Sequence, residues 1–172
     1  MDFGEVVKKR RSLRRYDPNK QIPDESLRRI LEAGRIAPSA ANKQPWQFLV
    51  VKNEEMRQKL CACYDRDWLK NAPVILVIVG NRDEAYVRGS DGHNSLEVDL
   101  TIALDHIILA AANEGVGTCW IIAYDYEKLK GVLHLAEHQY VSCITPLGYP
   151  PEEYETRKMP PRKEFDQIVK II

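Results

Sequence analysis

The sequence predicts a single domain in which helices and strands are interspersed without repeats, and three features predict it. Apolar residues recur at helical spacing after Pro23. An apolar, β-branched run, PVILVIVG, is bounded by Pro73 and Gly80. Residues 95–113 are apolar on almost every helical face. A chain of 172 residues fits one domain, and 44% apolar residues can build a sizeable core. Lys plus Arg equals Asp plus Glu at 25 each, so no net field draws the chain to nucleic acid, and any anion must be met by a local cluster. PVILVIVG is too short to span a bilayer, and the start, MDFGEVVKKRRSLRRY, lacks the apolar run of a secretory signal. Neither nucleic acid nor membrane is expected as a partner. Cys61, Cys63, Cys119 and Cys143 form no CxxC pair and read as reduced core thiols, which makes the expected location cytoplasmic.

The elements follow in order. Asp2 can cap a short helix with Phe3, Val6 and Val7 on its apolar face, running into KKRRSLRR. Pro23–Asp24–Glu25 opens a second helix through Leu27, Ile30 and Leu31, with Gly34 near its end. IAPSAANKQP is a loop, and Trp46 to Lys52 reads as a strand. Asn53 caps a third helix through about Tyr64. PVILVIVG is a buried strand, and the polar stretch Asn81–Asn94 is expected to be a mobile surface loop. Ser95 to Asn113 is the informative helix: a small domain rarely surrounds a helix apolar all round, so one face is expected to pack against another subunit. TCWIIA follows as a strand, Asp125 starts a short helix, and Tyr140–Leu147 is a further strand. The region 150–172 begins with proline-rich, charged PPEEYETRKMPPRKEF, which predicts an extended arm, and ends in strand-like FDQIVKII. Such an arm suits a partner's sheet edge.

Four constellations could carry chemistry. Arg10–Arg11–Ser12–Leu13–Arg14–Arg15 brings guanidinium forks and a hydroxyl together, as bidentate phosphate binding requires. Taken alone, a solvated basic helix end explains that cluster better. In Pro38–Ser39–Ala40–Ala41–Asn42–Lys43–Gln44–Pro45–Trp46, small residues let a flat ring approach the backbone, while Ser39, Asn42 and Gln44 offer polar groups to its heteroatoms. A plain connection needs turn residues but not such a dense polar set. Gly115–Val116–Gly117 is a fragment of GxGxxG, but it lacks the third glycine and runs from helix to strand, the reverse of a dinucleotide fingerprint. His134 and His138 are spaced for a shared metal, yet no third ligand motif accompanies them, and surface histidines are the simpler account. No nucleophile–base arrangement follows from spacing.

Together, RRSLRRY, PSAANKQPWQF, EGVGTCWI, and LGYPPE with a late PRK resemble the nitroreductase family in type, order and spacing, from Arg10 to about Val169. The short length resembles the compact branch of that family. The resemblance implies an α+β fold with a mainly antiparallel central sheet flanked by helices, in an intertwined homodimer with C-terminal arm exchange. It implies FMN at the subunit interface, NADH or NADPH as electron donor, and a small-molecule electron acceptor such as a nitroaromatic, quinone or enone. Hydride would pass through flavin N5 in ping-pong order, with no dedicated catalytic acid or base. Arg10, Ser12 and Arg14, with Arg11 beside them, match phosphate-binding positions, closed by Arg162 and Lys163 from the tail. Pro38, Ser39 and Ala40 match the segment reaching the flavin from the opposite subunit, and Asn42 and Gln44 share that motif. Ile122 and Ala123 match positions whose backbone faces the reactive edge of the ring. Asp65 falls where some relatives place an Asn on the flavin. Trp68 and Tyr86 are possible lid aromatics, and Lys43, Arg82 and Arg88 could meet a 2′-phosphate. Rival readings are a specialised member (enone reductase, flavin-destroying synthase, reductive dehalogenase), a non-catalytic FMN-binding module, and a regulatory phosphate-binding domain.

Overall fold

A computed structural model of the chain describes residues 2–156 and 158–172. Its elements are α1 (Phe3–Lys9), α2 (Asp24–Arg35), β1 (Trp46–Val51), α3 (Glu54–Cys61), α4 (Asp67–Lys70), β2 (Val74–Asn81), α5 (Leu96–Asn113), β3 (Gly117–Thr118), α6 (Tyr126–Leu133), β4 (Gln139–Gly148) and α7 (Phe165–Ile168). The strands form one antiparallel sheet in the order β1-β2-β4-β3, so the fold is α+β.

The apolar run of β2 makes sense only because both faces of the sheet are covered. Successive strand side chains point to opposite faces. Val74, Leu76 and Ile78 pack with Leu27 and Ile30 of α2 and Leu100, Leu104 and Ile107 of α5. Ile75, Val77 and Val79 pack on the other side with Leu60 of α3, Leu69 of α4 and Leu129 of α6. Helix α2 lies close against α5 because residue 34, the penultimate residue of α2, is glycine: a Cβ there would meet Ile107 Cδ1 at 2.5 Å.

Several expectations need correction. The third helix stops at Cys61, and α4 follows as a separate turn whose Leu69 fills the core, too short to leave a periodic signal. TCWIIA contributes only Thr118 to a strand, with Ile121 bridging Ile144 further along β4. FDQIVKII is not a strand: Phe165–Ile168 is helical, nucleated by a reciprocal capping box between Glu164 and Gln167. Asp2 occupies the N-cap of α1 without a side-chain cap bond, whereas Asn53 and Asp125 do cap, accepting from Met56 N and Lys128 N. Helix α5 is not buried all round within one chain, since Val98 is 51% exposed. Within the loop 81–94, Val87 bridges Asn94 and Arg88 pairs with Asp91. All four cysteines are buried and free, and burial raises the Cys143 thiol to about 12.

Candidate functional site

The segment after α1 runs extended and lies against the sheet at β3. Leu13 N–H donates to the Thr118 carbonyl at 2.7 Å, and Ser12 and Thr118 form a parallel bridge. The approach requires glycine at 117, where a Cβ would sit 2.2 Å from Leu13 Cδ2. Leu13 is buried and Tyr16 donates its hydroxyl to the Leu13 carbonyl at 2.9 Å. Burial pushes the Tyr16 hydroxyl well above its ordinary value, so it remains a donor. With Leu13 anchored inward, Arg14 is exposed and Arg10 and Ser12 are half-buried.

Among the described residues neither Arg10 nor Arg14 is paired with a carboxylate, whereas Arg15 is held by Glu153 at 2.7 Å. Arg11 also borders the recess described below; its Nη1 donates to the carbonyls of Lys8 at 2.6 Å and Arg10 at 2.7 Å, capping α1, while its Nε is buried without a partner among the described residues. A recess of about 180 Å³ opens between Arg10, Ser12, Gly117, Thr118 and Tyr154. An adjoining one of about 420 Å³ is bordered by Ser12, Arg14, Glu153 and Glu155. The Cys119 thiol lies beneath; burial raises it, and Arg14 and Ser12 act in the opposite direction.

The loop 38–44 is built from backbone. Ser39 is extended, a 3-10 turn spans Ala40–Asn42, and Ala41 (φ 51°), Asn42 (φ 54°) and Gln44 (φ 48°) take left-handed conformations. Such conformations cost non-glycine residues about 1–3 kcal/mol each and persist only where the surroundings hold them. Ser39 Oγ accepts from Gln44 N at 2.9 Å, and Gln44 Nε2 donates to the Asn42 carbonyl at 3.1 Å. Ala40 N donates to Asp99 Oδ1 at 2.8 Å. Asp99 escaped the sequence reading, although its spacing from Leu96, Ala103 and Ile107 places a carboxylate in the buried stripe of α5, and a buried carboxylate must have partners.

The remaining candidates are scattered. Ile122 (70% exposed) and Ala123 follow the Ile121–Ile144 bridge, partway along β4. Arg162 and Lys163 are exposed in the tail, line neither recess, and Arg162 donates to the Pro160 carbonyl at 3.2 Å. Asp65 faces Lys70 at 3.8 Å in a separate recess with Arg57 and Lys128. Trp68 packs between Tyr16 and Tyr64, a core contact and not an open lid, while Tyr86 remains partly exposed. Lys43 is exposed, and Arg82 lies over the Tyr140 ring at 5.1 Å. His134 is the left-handed C-cap of α6.

Register fixes how far apart the two main clusters are. Gly117 pairs with Gly148 at one end of β4, while Trp46, just after the 38–44 loop, pairs with Gly80, which pairs with Tyr140 at the other end. From Tyr140 to Gly148 the strand runs about 26 Å. The clusters also lie on opposite edges of the sheet, since β1 and β3 are its outer strands.

The molecule is thus an α+β domain with two arginines free of carboxylate partners among the described residues at one sheet edge, and a strained small-residue loop at the other. The model of the nitroreductase family matches residues 7–62 and 60–149, and the chain belongs to that family of oxidoreductases. A protein of Methanothermobacter thermautotrophicus, provisionally named NADH dehydrogenase/NAD(P)H nitroreductase, is 34% identical over 164 residues, covering 92% of this chain and 83% of its own. A nitroreductase family protein of Clostridium difficile 630 superposes with TM-score 0.84 at 28% identity, over 99% of this chain and 98% of that one. A protein of Clostridium difficile R20291 described as an FMN-dependent nitroreductase gives TM-score 0.73 at 29% identity, over 89% and 90%.

Proposed function

We propose that the protein is an FMN-dependent NAD(P)H oxidoreductase that works as a homodimer and reduces a small electrophilic acceptor, such as a nitroaromatic, quinone or enone, in ping-pong order. The observation that carries this reading is the placing of Arg10 and Arg14 around Ser12 with, among the described residues, no carboxylate on either guanidinium, laid over Gly117 and Thr118. Two such forks and a hydroxyl suit the dianion of a phosphate monoester. The residues therefore fit FMN, which when bound supplies two-electron exchange between a nicotinamide donor and the acceptor.

Arg10, Ser12 and Arg14 hold and orient the phosphate, with Arg162 and Lys163 reaching it from the exchanged arm. Pro38, Ser39 and Ala40 present a flat, small-residue surface to the ring, and Asn42 and Gln44 stand in the same loop. Backbone groups at Ile122 and Ala123 face its reactive edge. The separation of the two clusters supports a homodimer, because one protomer offers the phosphate grip at one sheet edge and the ring surface at the other. Exposed Phe3 (70%), Ile36 (63%) and Val98 (51%) supply an apolar face for the second copy. No described helix is long and apolar enough to cross a membrane, and the free buried cysteines suit a cytoplasmic setting.

The test is an absorbance spectrum of the purified protein with FMN, followed by anaerobic titration with NADH and then NADPH. Flavin bands that bleach are expected, and the donor that bleaches them at lower concentration is the preferred one. Bound flavin that neither donor bleaches would leave a binding module without turnover. Absence of bound flavin would refute the cofactor.

A further inference from the structure

We propose that Asp99 is the positioning residue that holds the 38–44 loop in its cofactor-facing shape, acting as a hydrogen-bond acceptor and not as a charge; this rests on the FMN reading above. Asp99 is 1% exposed and lies in the stripe of α5 otherwise filled by Leu96, Leu100, Ala103, Leu104 and Ile107. Packing alone favours an apolar side chain there, and no cation pairs with it among the described residues. A buried carboxylate without a counter-charge is kept at a cost, so its partners indicate its use.

Those partners are two. Oδ1 accepts from Ala40 N at 2.8 Å, and Oδ2 accepts from Ser95 Oγ at 2.7 Å. The first bond falls at the point where the loop changes from the extended backbone of Ser39 (φ −138°, ψ 158°) to the left-handed backbone of Ala41 (φ 51°). It thus ties the strained stretch of the loop to the most buried helix. The second bond extends the node, because Ser95 N donates to the Tyr86 carbonyl at 2.9 Å and Asn94 Oδ1 accepts from Leu96 N at 3.0 Å. The loop 81–94 and the loop 38–44 are thereby fixed to one carboxylate.

Side-chain chemistry separates acceptor from charge. Asparagine offers an oxygen to Ala40 N and an amide hydrogen to Ser95 Oγ, keeping both contacts without the charge, whereas leucine has a similar outline and keeps neither. The experiment compares the full-length protein with D99N, D99L and S95A, reading FMN affinity by fluorescence quenching, the visible spectrum of bound flavin, and circular dichroism. D99L is expected to bind FMN about tenfold more weakly, because Ala40 N–H is left unpaired, with a displaced flavin band. D99N should stay within about threefold of the parent, and S95A should lose about threefold, giving a readout even where D99L does not fold. A merely structural role lowers thermal stability but leaves the flavin spectrum of folded protein unmoved. D99L or S95A with parental affinity and spectrum overturns the proposal, as does D99N as weak as D99L. Parent protein that takes up no FMN removes the cofactor reading first and this inference with it, an outcome separable from all the others.

Discussion

At the Gly117–Thr118 edge the groups on offer are side chains. Arg10, Ser12 and Arg14 project from an extended segment whose position is set by one anchored leucine and one missing Cβ. At the 38–44 edge the groups on offer are largely backbone, bent through left-handed residues and tied to α5 by a buried carboxylate. Charge that must reach a mobile anion suits exposed, unpaired guanidinium groups. A surface that must lie flat against a ring suits small residues in a rigid, strained path. The two edges should therefore fail differently: the first loses affinity one contact at a time, and the second loses shape.

The largest effect should come from removing the tail that the arm-exchange proposal uses to join the edges. Deletion of residues 158–172 leaves Tyr154 packed on Leu13 and Tyr16 and removes only exposed residues, including Phe165, Ile168, Ile171 and Ile172. In a lone protomer this changes little; in an arm-exchanged dimer it abolishes the dimer. Light scattering is expected to report monomers, and a stable dimer would end the arm-exchange idea.

Next comes Gly117→Ala, which drives a methyl into Leu13. Overpacking of this kind costs about 3 kcal/mol, seen as a lowered thermal midpoint, and it should displace Arg10 and Arg14 enough to weaken FMN as well. Parental stability in that variant would mean that the 10–14 segment does not need its close seat.

Arg14→Ala should weaken FMN by about 1.5–3 kcal/mol through loss of a charge-assisted contact. Arg11→Ala sharpens the comparison, since Arg11 Nη1 is committed to the end of α1. It should lower stability by about 1 kcal/mol with little change in FMN affinity. Equal losses of affinity in the two variants would return Arg11 to the phosphate grip.

The smallest effect belongs to Ala41→Gly. Relieving a left-handed alanine should stabilise the fold by up to about 1 kcal/mol, offset in part by the freer unfolded chain. Chemical denaturation measures it, and a clear loss of stability would show that the alanine methyl is itself held in contact.

The fold was legible where a pattern was long and the chain local. PVILVIVG reads as a strand covered on both faces, and residues 95–113 read as the central helix, because their apolar residues run on through five helical turns. Asn53 was readable as a cap, and Asp125 as a helix start, because an Asx side chain before an acidic turn is a local device. Reading failed where long-range packing decides. Leu69 needed the opposite face of the sheet to become a four-residue helix, and TCWIIA lies beside β4 but pairs with it only in places. FDQIVKII spaces its apolar residues for either state, and a capping box settled it. At the site, the motif residues were visible and their supports were not. Asp99 sits about sixty positions from Ala40, and the Gly117–Leu13 contact joins segments a hundred residues apart.

The register of β2 against β4 has a further consequence, for the time before the protein is complete. Val74 pairs with Leu147, so the most apolar strand lacks one neighbour until β4, beginning at Gln139, has been made. At about 5–20 residues per second of synthesis, the stretch between the two strands takes about 3–12 s to emerge. Helix α5 emerges in that interval and can shelter Leu76 and Ile78, but it leaves the unpaired backbone edge of β2 open to other chains. For that interval the open edge of β2 is a strand-pairing hazard, which closes when β4 adds to it.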